Sequence, residues 1–224
     1  MATNNFLFIT NFKTYTEASG VNAEALLKIH DEVAAEFPHV NVTCAVQALD
    51  FGAVSDFPNV KKLAQHVDPA CAGSYTGKIV PERVKNMGGW GTILNHSENR
   101  LEREVLKESI TSAKRSGLVT IVCCETAEEG WSFLEFEPDY LAVEPPELIG
   151  GDISISKSQA DVIKKALELI GGDKLLVGAG VRDFDDVRIA VEYGARGVLV
   201  ASGVCKAADP AAALRDLLSG YPVV

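Results

Sequence analysis

Short apolar stretches recur along the whole chain and alternate with segments of helical periodicity. The apolar stretches are rich in Val and Ile, as is typical of strands that are covered on both faces. They predict eight strands, at 6–12, 40–46, 60–67, 91–96, 119–124, 140–144, 175–180 and 197–202. The segments between them predict eight helices, at 22–37, 48–56, 80–88, 102–116, 126–136, 158–170, 183–193 and 209–218, with the weakest patterns at 48–56 and 126–136.

Residues with strong preferences for helix ends support several of these helices. Asn22 and Asp183 stand at predicted N-cap positions, and Pro210 follows Asp209 at the start of the last helix. Glycines mark predicted helix ends at Gly117, Gly171, Gly172 and Gly194. The helical segments therefore have defined starts and stops as well as an apolar period.

Strict alternation of strand and helix predicts an α/β fold, and eight repeats of it predict a (β/α)8 barrel. A doubly wound parallel sheet is the alternative. No linker-like or low-complexity stretch divides the chain, so residues 1–224 are expected to form a single domain.

The charge balance narrows the classes of partner. The formal net charge is −10, which argues against nucleic acid and against anionic membranes as partners. No apolar run reaches the roughly 18 residues that span a bilayer, and the N-terminus lacks the features of a signal peptide. We therefore expect a cytoplasmic protein without a membrane segment.

The sequence contains no recognisable cofactor or metal motif. The five cysteines are odd in number and scattered, and they are interpreted as buried, reduced thiols; a redox role for the adjacent pair Cys123 and Cys124 is the alternative. His66 and Asp68 lack further ligands for a metal site. No G-x-G-x-x-G follows a strand, and no G-x-S-x-G elbow is present. We predict neither a cofactor nor a metal.

Polar residues concentrate where the predicted strands end, which is where barrel enzymes carry their active sites. Asn11 and Lys13 follow the first strand, Glu144 follows the sixth, and the run Asn95, His96, Ser97 and Glu98 follows the fourth. Each has a structural alternative: Glu144 as a solvated or paired carboxylate, His96 as a buried structural histidine, Lys13 as a surface amine. Their convergence on one rim favours a catalytic site.

Two further features concern His96 and the remaining histidines. Ser97 and Glu98 are predicted to open a short helix whose positive end keeps His96 neutral, so that the ring donates a hydrogen bond. Glu98 either caps this helix or pairs with Lys13, and the second is favoured. His30 and His39 are expected to be solvated.

Small residues after the last two strands suggest a phosphate site. GAGV at 178–181 and VASGV at 200–204 would let a ligand approach the backbone closely. The alternative is a pair of tight turns that need glycine for their own conformation.

Several motifs resemble the triosephosphate isomerase family, in its short archaeal form. They occur in family order over nearly the whole chain: ITNFKTY (9–15), AQHVDP (64–69), GSYTG (73–77), TILNHSENR (92–100), YLAVEPPELIG (140–150), GAG (178–180) and VLVASGV (198–204). This family is itself a standard example of the barrel and of its acid–base arrangement.

The resemblance implies a reaction and a set of roles. It implies interconversion of D-glyceraldehyde 3-phosphate and dihydroxyacetone phosphate through an enediolate, in glycolysis and gluconeogenesis. Glu144 would be the base, His96 the neutral electrophile and Lys13 the cation that stabilises the enediolate, while Asn11 would orient the substrate. Backbone donors at Gly180, Ala201 and Ser202 would bind the phosphate.

The resemblance also implies a lid and an assembly. Residues 145–157 would close over the phosphate, with Ile149 at the apolar tip. The loop Gly73–Gly77 would insert into a neighbouring subunit through Tyr75 and Thr76, giving a homodimer or a dimer of dimers. Two departures from the family pattern are CCETAEEG after the fifth strand and Asp152 in the lid.

Two rival functions are consistent with the same residues. One is a phosphate-binding barrel aldolase in which Lys13 forms a Schiff base, which requires a desolvated lysine. The other is a barrel that binds a phosphorylated metabolite without catalysis.

Overall fold

Eight parallel strands close into a barrel in the computed structural model, which describes residues 6–54, 57–145 and 160–223. The strands pair in chain order and the eighth pairs with the first. They are β1 (Phe6–Asn11), β2 (Val40–Val46), β3 (Val60–Ala64), β4 (Gly89–Leu94), β5 (Val119–Cys124), β6 (Tyr140–Val143), β7 (Leu175–Val177) and β8 (Gly197–Val200). The predicted barrel is confirmed, and the doubly wound sheet was the wrong alternative.

The core has two layers because side chains alternate between the two faces of each strand. The inner layer fills the barrel with buried side chains such as Leu7, Ile9, Leu63, Ile93 and Ile121. The outer layer packs the other face of the strands against the helices. The apolar runs in the sequence therefore reflect strands that are buried on both sides.

The helices surround the barrel, and some of them begin at residues whose side chains cap the first turn. They are α1 (Val21–Ala34), α2 (Pro81–Asn86), α3 (Arg103–Arg115), α4 (Ala127–Phe133), α5 (Ala160–Ile170), α6 (Phe184–Glu192), α7 (Ser202–Cys205) and α8 (Pro210–Ser219), with single 3-10 turns at Thr16–Ala18 and Leu134–Phe136. The side chains of Asp183 and Asp209 cap α6 and α8 as predicted. No helix in the described ranges is long and apolar enough to cross a bilayer.

The prediction of a helix at 48–56 was wrong. Residues 48–54 form successive turns, and 55–56 lie outside the described residues. The Asp50 carboxylate accepts a hydrogen bond from the Gly20 amide at 3.0 Å, and Phe51 is buried. Tertiary contacts of this kind override a weak local helical pattern.

Asn22 was also assigned wrongly as an N-cap. The cap of α1 is Gly20, in a backbone conformation with φ 59°, so Asn22 lies inside the first turn. Its side-chain amide donates to the Thr16 carbonyl at 2.8 Å. The polar side chain thus stabilises the preceding 3-10 turn rather than the helix amides.

His30 was expected to be solvated and is completely buried between α1 and β1. Its Nδ1 lies 2.8 Å from the Leu26 carbonyl oxygen and its Nε2 lies 2.9 Å from Thr10 Oγ1. Burial lowers the pKa of His30 to about 4, so the ring is neutral at neutral pH. The expectation failed because the residue lies on the inner face of α1, one turn from Leu26.

The exposure of His39 and that of Cys71 also differ from expectation. His39, also expected to be solvated, is only partly exposed, and its Nε2 is buried without a hydrogen-bond partner among the described residues. Four cysteines are buried, free thiols as predicted, but Cys71 is exposed. The prediction that residues 1–224 form one domain stays a prediction.

Candidate active site

The residues predicted to carry the chemistry lie at the carboxyl ends of three strands. Asn11 is the last residue of β1, His96 lies two residues beyond β4, and Glu144 directly follows β6. All three side chains are buried, and Lys13 is partly buried. Because the carboxyl ends of parallel strands open onto one rim, the barrel brings these residues to the same mouth.

Lys13 is held in an unusual backbone conformation by its neighbours. Its φ is 47°, in the left-handed region that non-glycine residues rarely adopt. The Asn11 side-chain oxygen accepts from the Lys13 amide at 3.0 Å, and Gln65 Nε2 donates to the Lys13 carbonyl at 2.8 Å. Gln65 also donates to the Ala45 carbonyl at 3.1 Å, which anchors this arrangement to β2. The sequence analysis assigned no role to Gln65.

The Lys13 ammonium points to a carboxylate. Its Nζ lies 2.7 Å from Glu98 Oε1, as the favoured pairing predicted. The lysine side chain is 15% exposed, whereas that of Glu98 is 59% exposed, so the cation is fixed in place while its partner remains largely in solvent. The site therefore has one positioned positive charge at the mouth of the barrel.

The hydrogen bonding of His96 fixes which nitrogen can donate. The Glu98 amide donates to His96 Nδ1 at 3.1 Å, so in the neutral ring the proton is assigned to Nε2. Burial lowers the pKa of His96, and the positive charge of Lys13 lowers it further. The lowered pKa agrees with the expectation of a neutral His96, but the prediction of a short helix was wrong, because Ser97 and Glu98 form a turn.

Asn95 orients the segment that carries His96. It adopts φ 60° and is buried. Its side-chain amide donates to the Cys123 carbonyl at 2.9 Å, and its side-chain oxygen accepts from the Leu101 amide at 2.9 Å. One side chain thus ties the end of β4 to β5 and to the approach of α3, and this fixes the direction in which His96 leaves the strand.

Glu144 is a buried carboxyl group with incomplete hydrogen bonding. Its Oε1 lies 3.7 Å from His96 Nε2, and its Oε2 is buried with no hydrogen-bond partner in the described part of the chain. Burial raises the pKa of Glu144 to about 7, against the opposing effects of a hydrogen bond with Cys123 and the charge of Lys13. A carboxyl group with this pKa can both take up and release a proton near neutral pH.

Comparison with known proteins identifies the family. The family model described as triosephosphate isomerase matches residues 6–218. The chain belongs to the triosephosphate isomerase family. The triosephosphate isomerase of Methanobacterium bryantii is 41% identical over 217 residues, covering 95% of this chain and 96% of that protein. That of Methanopyrus kandleri is 43% identical over 224 residues, with 95% and 96% covered.

A solved structure agrees with the fold. The crystal structure of triosephosphate isomerase from Bartonella henselae superposes with a TM-score of 0.69 at 21% identity, covering 96% of this chain and 97% of that chain. At this identity the similarity concerns the barrel alone.

The residues predicted to bind phosphate lie at the same rim. Gly180 is three residues beyond β7, Ala201 directly follows β8, and Ser202 is the first residue of α7. Gly180 adopts φ 76°, so the alternative of a glycine required by a turn applies to this position in any case. The lid predicted from the triosephosphate isomerase resemblance lies outside the described residues except for Pro145, and so do Ile149 and Asp152.

The predicted self-association loop is fully exposed and closed at its base. Every residue of Gly73–Gly77 is exposed, and Tyr75 retains 46% of its surface. Asp68 joins the ends of the loop, because its carboxylate accepts from the Ile79 amide at 2.8 Å and from Lys78 Nζ at 2.9 Å. Asp68, a polar residue after the third predicted strand that lacked the partners for a metal site, thus shapes the loop.

Proposed function

We propose that this chain catalyses the reaction for which its family is named, the interconversion of D-glyceraldehyde 3-phosphate and dihydroxyacetone phosphate through an enediolate. The observation that carries the assignment of roles is the geometry at the rim. A carboxyl group with a pKa of about 7 and a neutral imidazole face each other across 3.7 Å, with the Lys13 ammonium on the same rim.

Glu144 is proposed as the base. It removes the proton from the carbon next to the carbonyl, and the electron pair moves to the carbonyl oxygen as the enediolate forms. The carboxyl group then returns the proton to the neighbouring carbon. Its raised pKa suits both halves of this cycle, because a carboxylate of ordinary pKa would be a weaker base toward carbon.

His96 and Lys13 are proposed to manage the charge on oxygen. The Nε2–H of His96 donates toward the substrate oxygens and moves a proton between them, while Lys13 stabilises the negative charge that develops. Asn11 would orient the substrate, and its bond to the Lys13 amide supports a role in holding that cation.

The phosphate would bind to backbone amides at Gly180, Ala201 and Ser202. The first amides of a helix have no partner within it, and the two segments lie beyond neighbouring strands. Residues 145–157, with Ile149 at the tip, are proposed as the lid that excludes water from the enediolate.

A homodimer, or a dimer of dimers, is proposed to form through Gly73–Gly77. The exposed Tyr75 and the closure of the loop by Asp68 support an inserted segment with a defined shape. A cytoplasmic location and a place in glycolysis and gluconeogenesis complete the proposal.

A coupled assay tests the function directly. Conversion of D-glyceraldehyde 3-phosphate is followed by supplying NADH and a dehydrogenase that oxidises it while reducing dihydroxyacetone phosphate. The proposal expects the isomerase itself to turn over with no metal or cofactor of its own. Absence of turnover, with binding of inorganic phosphate retained, would instead support the non-catalytic alternative.

The aldolase alternative has its own test. Borohydride reduction with a ketose phosphate traps a Schiff base on lysine, and mass spectrometry detects the added mass. We expect no adduct, because Lys13 Nζ is held by Glu98 Oε1 at 2.7 Å and is not placed as a free nucleophile. An adduct on Lys13 would support the aldolase.

A further inference from the structure

Gly178 lies unusually close to the side chain of Glu144. It directly follows β7, and it is the neighbour of Glu144 across the rim. A Cβ atom built on Gly178 would lie 2.4 Å from Glu144 Cγ, 3.1 Å from Cδ and 3.2 Å from Oε1. Ordinary carbon–carbon contacts are about 3.5–4.0 Å, so no side chain fits at this position while Glu144 keeps its present conformation.

The requirement for glycine here is steric rather than conformational. Gly178 does not have the positive φ that is recorded for Gly180, two residues later, at 76°. An alanine could therefore adopt the backbone conformation of residue 178 without strain. The two glycines of GAG are needed for different reasons: Gly180 for its backbone angle and Gly178 for the space beside a carboxyl side chain.

The backbones on both sides of this contact are fixed. The Gly178 amide donates to the Val143 carbonyl at 2.9 Å, and the Glu144 amide donates to the Cys124 carbonyl at 2.8 Å. These bonds continue the pairing of β5, β6 and β7 beyond the strand ends. A methyl group at position 178 would therefore be accommodated by movement of the Glu144 side chain, whose Cγ is the nearest atom.

We propose that Gly178 is a positioning residue for Glu144: because it has no side chain, the Glu144 methylene and carboxyl groups can occupy the space in which the carboxyl group faces His96. The inference rests on the proposed role of Glu144 as the base. Gly178 touches the side chain of the base without taking part in the chemistry. A larger residue would turn the carboxyl group away from the atom on which it acts.

Kinetics of Gly178→Ala test the positioning. We expect kcat to fall about tenfold to a hundredfold, because small misplacements of a catalytic group have effects of this size. The inhibition constant of glycerol 3-phosphate, which carries the phosphate but cannot react, should change less than threefold. A kcat within twofold of the wild-type value would overturn the proposal.

Gly52→Ala is the matched control. Among the described residues, a Cβ atom at Gly52 meets only the flexible end of the Met87 side chain within 4 Å. The substitution adds the same methyl group without contact to Glu144, and kcat should stay within twofold of the wild-type value. An equal loss of kcat in both variants would show that the effect is not specific to position 178 and would overturn the proposal.

A double-mutant cycle tests the contact without relying on activity. Glu144→Ala removes Cγ, Cδ and Oε1, the three atoms nearest to the added methyl group. Gly178→Ala should lower the urea midpoint in the wild-type background and should lower it much less in the Glu144→Ala background. Glu144→Gln, which keeps the two carbons, should retain the larger decrease.

Equal decreases in all three backgrounds would overturn the steric contact. The outcome is separate from that of the proposed function. If the wild-type chain shows no isomerase turnover, the function fails in the coupled assay, whereas the urea midpoints still report whether Gly178 and Glu144 compete for the same space.

Discussion

Two buried titratable side chains, Glu144 at the barrel mouth and His30 between α1 and β1, differ in their hydrogen bonding. His30 is fully buried, and both ring nitrogens lie within hydrogen-bond distance of neutral oxygens. Glu144 is 4% exposed, and its Oε2 has no partner in the described ranges. Burial favours the neutral form of both groups, lowering the pKa of His30 to about 4 and raising that of Glu144 to about 7.

The difference lies in the protonation state that each region needs at neutral pH. The neutral imidazole is the form that links Leu26 to Thr10, so burial of His30 agrees with its structural role. A carboxylate has to be ionised to act as a base, so burial of Glu144 opposes the state that its proposed role requires. A buried carboxyl group whose surroundings disfavour its ionised form is a candidate for catalysis, whereas the surroundings of His30 agree with a structural role.

The largest effect is expected on turnover, when the carboxyl group at the barrel mouth is removed. Glu144→Gln removes the base while keeping nearly the same shape, so kcat should fall by about a thousandfold or more. Affinity for glycerol 3-phosphate should change little, because the proposed phosphate contacts are elsewhere. Steady-state kinetics and inhibition measurements check both values. Near-normal turnover in this variant would contradict the assignment of Glu144 as the base.

A smaller effect, on stability, is expected when the buried ring of His30 is removed. His30→Ala leaves a cavity and removes the partner of the Thr10 hydroxyl, so the free energy of unfolding should fall by about 3 kcal/mol. Urea unfolding at pH 7.5 measures the loss. At temperatures where the variant is folded, kcat should remain within threefold of the wild-type value. A selective loss of kcat in a stable variant would show that His30 belongs to the site.

The smallest effect is expected on the pH dependence of stability, which differs between Glu144 and His30. The Glu144 pKa is raised from 4.5 to about 7, so the folded state holds more protons between these values and stability falls as pH rises through this window. The shift corresponds to about 3 kcal/mol. Glu144→Gln lacks this loss, so it should be more stable than the wild type at pH 8 by roughly 2–3 kcal/mol. The difference should shrink toward pH 4.5.

His30 acts in the opposite direction in an overlapping window. Its pKa is lowered from 6.5 to about 4, so its contribution is complete above pH 6.5 and is lost as pH falls toward 4. In the wild type the two effects offset each other between about pH 4.5 and 6.5. Urea unfolding from pH 5 to 8 should therefore show stability rising with pH in Glu144→Gln and falling with pH in His30→Ala. Parallel pH profiles in the two variants would contradict this account.

Much of the fold could be predicted because it follows from local patterns of apolar and polar residues. Apolar runs that alternate with segments of helical periodicity predicted the barrel. The position of polar residues at strand ends predicted that Asn11, Lys13, His96 and Glu144 lie near one another. Several predicted strands ran too far at their carboxyl ends; β3, for example, ends at Ala64 and β7 at Val177. The residues that follow leave the sheet at the rim, where Gln65 and Gly178 lie beside residues of the site.

The features that sequence analysis missed depend on contacts between distant parts of the chain. Gln65 contacts Lys13, 52 positions away, and Asn95 contacts Cys123, 28 positions away. In the sequence Gly178 cannot be distinguished from an ordinary turn glycine, because its steric role depends on the position of the Glu144 side chain. His30 shows the same limit, because a lone histidine in a helical segment does not reveal which face of the helix it occupies.

The pairing of β8 with β1 closes the barrel and depends on contacts between the two ends of the chain. Gly197 pairs with Leu7, and a Cβ atom on Gly197 would lie 1.7 Å from the Leu7 carbonyl oxygen. The Tyr221 hydroxyl donates to that same oxygen across 214 positions of sequence. Contacts of such long range form late in folding, so until the last strand leaves the ribosome the first strand has one unpaired edge. The glycine that closes the barrel is thus also the point at which a nascent chain stops being open to association with its neighbours.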